Sequence, residues 1–79
     1  MNYLTRKNVL ATLTKHETLT IEDLSKKENL GLVPDQSQLN FLLRQLAIGG
    51  YIMLLKGVTP LTYTITSAGI EENDRLVYP

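Results

Sequence analysis

LNFLLRQLAIGGYIMLLKGVTPLTYTITSAG, residues 39–69, changes its hydrophobic period at a glycine pair, and that change decides the fold. Leu39, Leu42, Leu43 and Leu46 are spaced by three and four, the recurrence that gathers apolar side chains on one stripe of an α-helix. Gly49 and Gly50 close that helix. Beyond them Tyr51 to Leu55 is an unbroken apolar run of strand length, and Lys56 to Pro60 holds the glycine and proline of a loop. Leu61 to Thr66 then alternates β-branched and aromatic residues with others. The spacing predicts a helix over 35–49 followed by a hairpin over 51–66.

Upstream, Thr5 is placed to cap a first helix, with Leu4 and Val9 as a hydrophobic staple and Val9, Leu10 and Leu13 on its inward face. His16 to Leu19 reads as a connector with room for a very short strand. Thr20 and Asp23 repeat the start signal, and the second helix is expected to run from there to about Leu30, where Gly31 supplies a left-handed stop. Pro34 and Asp35, with Gln38 three residues on, announce the third helix, and Thr66 caps a short last one through Ile70. The fold class expected is α+β, mainly α: a three-helix bundle, a C-terminal β-hairpin and a short final helix, all within one domain, 1–79.

A chain of 79 residues encloses a single core, and with no cysteine it has neither disulfides nor thiolate metal ligands to supplement it. Polar and basic residues follow Met1 directly, and the run Leu46 to Leu55 is broken by Gly49 and Gly50, so neither a signal peptide nor a membrane span is expected and the cytosol is the expected compartment. Net charge is zero, but its distribution is uneven. Residues 1–16 carry Arg6, Lys7 and Lys15 without an acid, and residues 36–70 carry Arg44 and Lys56 without an acid. Every acidic residue lies in 17–35 or 71–79. Two separated segments therefore offer the makings of a mildly positive surface, against the alternative of an ordinary mixed surface.

From Thr20 onward the chain resembles the winged helix-turn-helix domains of bacterial transcription regulators. Leu24-Ser25 stands where that family places a small residue at the helix crossing, and Leu39, Leu43, Leu46, Gly50 and Ile52 follow its third-helix spacing. Tyr63, Ile65, Thr66 and Gly69 match its second strand and final helix. The connection Asn29 to Asp35 is longer than the tight turn of that motif. The resemblance implies sequence-specific duplex DNA binding by a small transcription regulator, with the third helix in the major groove and the hairpin as a wing.

Catalytic chemistry has few candidates in this chain. His16 stands without a second imidazole, and Ser25, Ser37 and Ser67 lack the context of a catalytic nucleophile, so no enzyme and no cofactor is expected. With the leucine stripe inward, Ser37, Phe41, Arg44 and Ile48 turn outward, Asn40 and Gln45 flank them, and Gln36 and Gln38 lie near the helix start. In a groove, Arg44 suits guanine or phosphate, Asn40 and the glutamines suit adenine, and Phe41 suits a thymine methyl. Lys56 and Thr59 are the wing's polar contributions. Phe41 and Ile48, seven residues apart with Arg44 between, equally resemble the seam of a helix that packs on a protein, so a protein-interaction module without DNA binding is the alternative. A regulator this small is also expected to pair as a homodimer through helix one and an apolar patch of Tyr3, Ile70, Val77 and Tyr78.

Overall fold

A computed structural model describes residues 3–76. Val77 and Tyr78, half of the expected dimer patch, lie outside the described residues. The order is α1 (Arg6–His16), β1 (Thr18–Thr20), α2 (Ile21–Leu24), α3 (Lys27–Leu30), α4 (Gln36–Ile48), β2 (Ile52–Leu54), β3 (Thr62–Ile65) and α5 (Ser67–Arg75). The result is a small, mainly helical α+β domain with one antiparallel sheet of order β1-β3-β2.

Caps read from the sequence are made by short polar side chains. Thr5 Oγ1 accepts from the Asn8 amide at 3.3 Å while the Thr5 amide donates back to Asn8 Oδ1 at 2.9 Å, a reciprocal box that satisfies two otherwise free donors. Thr20 Oγ1 accepts from the Asp23 amide at 3.1 Å, and Thr66 Oγ1 from the Gly69 amide at 3.0 Å. Asp35 is the N-cap residue of α4 by position but makes no side-chain cap bond. The side chain of Gln38, three residues on, instead donates to the Leu4 carbonyl at 3.4 Å and ties α4 to the N-terminal segment.

The expected second helix, Thr20 to Leu30, is two four-residue segments instead of one. Lys26 between them is extended, at φ −77° and ψ 135°. Ser25 Oγ donates to the Ile21 carbonyl at 2.8 Å beside the Ser25 amide, and Asn29 Nδ2 donates to the Asp23 carbonyl at 2.7 Å beside the Lys26 amide, so side chains add bonds on either side of the break. Below the break, Thr12 Oγ1 sits 2.8 Å from the Asn8 carbonyl and 3.0 Å from the Asn29 carbonyl, joining α1 to α3. Gly31, at φ 85°, ends α3 in the left-handed conformation expected of it.

One core results. Val9, Leu10 and Leu13 of α1 are buried with Leu24, Leu30, the α4 residues Leu39, Leu43 and Leu46, and Ile52 of β2. Leu42, expected on the same stripe, is only partly buried at its edge. β2 pairs with β3 so that Ile52 faces Ile65, Met53 faces Thr64 and Leu54 faces Tyr63. β1 pairs on the other side of β3, Leu19 opposite Tyr63.

The step from α1 into β1 is made by Glu17, the one non-glycine residue with positive φ among those described (φ 70°, ψ −55°). Its carbonyl accepts from the Ile65 amide at 2.9 Å, which holds the residue there. A β-carbon is disfavoured in this conformation by roughly 1–3 kcal/mol, while glycine gives back about 0.5–1 kcal/mol in chain entropy. Glu17→Gly is therefore expected to stabilise the domain by about 1 kcal/mol in a urea melt; a loss of stability would mean that Glu17 is not strained.

Candidate interaction face

Helix α4 is amphipathic in the sense its spacing predicts. Leu39, Leu43 and Leu46 are at most 1% exposed, and Ser37, Phe41, Arg44 and Ile48 stand outward, with Asn40 and Gln45 also exposed. The expected site residues divide here. Gln36 Nε2 donates to Ser25 Oγ at 3.1 Å and Gln38 is committed to Leu4, so both brace the helix start against the body of the domain. Ser37, Asn40, Phe41, Arg44 and Gln45 remain outward-facing. Lys56 and Thr59 are exposed in the loop between β2 and β3.

What the hairpin adds to this face is apolar. A groove of about 420 Å³ runs between α4 and the hairpin, walled by Asn40, Leu43, Arg44, Ala47 and Ile48 on one side and Leu54, Leu61 and Tyr63 on the other. Its register explains its wall: Ile52 and Leu54 lie on one side of β2, Ile52 enters the core, and Leu54 extends that surface past the core's edge. Ile48 is 76% exposed, Leu61 52% and Leu54 42%; Phe41, on the outward side of α4, is 59% exposed. Met53 and Val58 are exposed as well. Phe41, Lys56 and Thr59 are not part of the groove wall. Leu54, Leu61 and Tyr63 are, and sequence reasoning placed none of them in a site. Leu54 alone belongs to the apolar run Tyr51 to Leu55, which reads as a buried strand, and nothing local in the sequence marks Leu61 or Tyr63.

The cations of the first segment do not join this face. Arg6 donates to Glu72 Oε2 at 3.0 Å, and Lys7 Nζ donates to the Asn73 carbonyl at 2.8 Å. Arg6 also stacks over the Tyr51 ring, 5.6 Å from its centre. Glu72 is buried and accepts from Arg75 Nε at 2.9 Å on its other oxygen, so one carboxylate clamps α1 to α5 and raises the Arg75 pKa above its ordinary value. Asp23 of α2 and Lys26, at the break before α3, pair at 3.1 Å, each favouring the other's charged form. Arg44 has no ion-pair partner among the described residues. Lys7 and Lys15 border a separate hollow with Asn29 and Leu30, and share no residue with the α4 groove.

For the expected dimer patch, Tyr3 and Ile70 are both exposed. His16 is exposed at the end of α1. Among the described residues no group of three or more His, Cys, Asp or Glu side chains is arranged to hold a metal ion, and no helix is long and apolar enough to cross a membrane. The α4 face presents apolar side chains, the amides of Asn40 and Gln45 and the Arg44 guanidinium. Comparison of the chain with protein-family models, curated proteins and solved structures finds no match.

Proposed function

We propose that the chain is a winged-helix module that captures a segment of another protein in the groove between α4 and the hairpin. The layout of helices, hairpin and final helix is compatible with a winged helix, and the groove's apolar wall is the observation that carries the functional reading. Large apolar side chains that stand exposed side by side mark interfaces, because leaving them in water forgoes about 25 cal/mol for each Å² that a partner could cover. Ile48 of α4, Leu54 of β2 and Leu61 just before β3 line the groove together, and Phe41 is a further exposed apolar residue on α4 outside its wall. A phosphate backbone would find Arg44 and Lys56 as the only cations in the whole of 36–70, few against the six to ten phosphate contacts typical of steep, salt-dependent binding.

Duplex DNA is the second reading, favoured by Ser37, Asn40, Arg44 and Gln45, which project together from one exposed helix face. The two readings order substitutions oppositely. For protein capture, Phe41→Ala and Ile48→Ala are expected to cost about 2 kcal/mol or more of affinity and Arg44→Ala less, since apolar anchors outweigh a charge at an interface rim. For DNA, Arg44→Ala costs about 1–3 kcal/mol and Phe41→Ala less. The deciding measurement is photo-crosslinking in the source cells from a reactive residue at position 48, with position 15 as control. A protein adduct specific to position 48 is expected; a nucleic-acid adduct there, with salt-dependent binding of random duplex DNA, would overturn the proposal. All three side chains are exposed, so the substitutions are expected to leave thermal stability within about 0.5 kcal/mol of wild type.

A further inference from the structure

Resting on that reading, we infer that the segment the groove takes is an acidic amphipathic helix. The first observation is electrostatic. Everything that builds the groove, from α4 through the hairpin, comes from residues 36–70, and that stretch contains no aspartate or glutamate. Its charges are Arg44, in the groove wall, and Lys56, in the adjoining loop. Arg44 has no acid beside it among the described residues, whereas Arg6, Lys26 and Arg75 each hold a carboxylate. The face thus keeps its cation free next to an apolar wall, and complementary charge on a partner both steers its approach and fixes its register.

The second observation is length. The α4 wall runs from Asn40 to Ile48, about 12 Å of helix at 1.5 Å per residue. A docking helix that presents apolar anchors at i, i+3 or i+4, and i+7 spans about 10.5 Å between its outer anchors, which matches the wall. A carboxylate flanking that stripe would meet Arg44 in the wall, with Lys56 the other cation of the 36–70 stretch.

A second copy of the chain does not meet both requirements on one surface. Isologous pairing of two such faces sets Arg44 and Lys56 against the same cations. The chain's own acidic helix, α5, offers Ile70 as its single exposed large apolar residue, short of a stripe.

The test is a display library of helical peptides with a fixed apolar stripe and polar positions randomised among Glu, Gln and Lys, selected on the intact chain. Enrichment of Glu at the positions flanking the stripe is expected. A synthetic Glu-flanked peptide should bind about tenfold tighter than its Lys-flanked counterpart, the preference should invert in the Arg44→Glu, Lys56→Glu double variant, and Ile48→Asp should remove binding of both. Circular dichroism melts identical to wild type exclude unfolding as the cause. Enrichment that depends on Ile48 but shows no charge preference, or a preference for Lys, overturns the acidic occupant and leaves protein capture standing. No enrichment overturns the helix as occupant, and salt-dependent binding of random duplex DNA in its place overturns protein capture too.

Discussion

Replacing Gly69 with alanine is expected to destabilise the domain by more than about 2 kcal/mol, although alanine is the better helix former by roughly 1 kcal/mol. A β-carbon at this position, in the first turn of α5, would fall inside the contact radius of the Tyr51 carbonyl oxygen, 3.0 Å from that carbonyl's carbon and 2.7 Å from Ile65 Cδ1. Ile65 Cδ1 is a side-chain terminus that can shift, but the Tyr51 carbonyl is backbone and cannot move alone. The Tyr51 carbonyl is held by the Thr66 amide at 3.1 Å, and Thr66 in turn caps α5, so relief of the clash would open the junction of hairpin and final helix. Chemical denaturation decides it: an unchanged or raised midpoint would show that α5 sits further from the hairpin than this packing implies. The contact also gives a physical meaning to the Tyr63, Ile65, Thr66, Gly69 spacing, in which the threonine caps and the glycine makes room.

Leu43→Ala is expected to cost about 2–5 kcal/mol. Leu43 is 1% exposed at the middle of α4, and its loss leaves a cavity beneath the groove, where it also forms part of the floor. Since a domain of this size is stable by only about 4–12 kcal/mol, the substitution removes a large fraction of the total. Urea unfolding monitored by circular dichroism measures it. A cost under about 1 kcal/mol would mean that the leucine stripe is not the inward face, and the outward residues on which both functional readings rest would have to be reassigned.

Much of this architecture is legible in the chain because its signals are local. A threonine three residues ahead of a free amide, a glycine where α3 must turn left-handed, and leucines at three- and four-residue spacing each act within one turn of helix, so they are read without knowing the tertiary structure. The division of the second helix was not legible, since no glycine or proline marks Lys26, whose extended backbone makes the break. The outward face of α4 was legible through its period, but the apolar wall opposite it was not. Tyr51 to Leu55 reads as a buried strand, and only the docking of the hairpin against α4 decides that Ile52 is covered and Leu54 is not. Charge misleads for a related reason. Arg6 and Lys7 belong to an acid-free segment, yet their partners Glu72 and Asn73 come from the far end of the chain.

That last pairing has a topological consequence. Arg6 and Glu72 are 66 residues apart, so their contact closes almost the whole chain into a ring, at an entropic cost of roughly 4 kcal/mol by the logarithmic scaling of loop closure. The first and last helices lie side by side, and none of their residues belongs to the groove wall. A polypeptide entering at α1 and leaving at α5 would do so through neighbouring points, as an inserted loop does. Both points lie on elements that leave the α4 groove wall untouched.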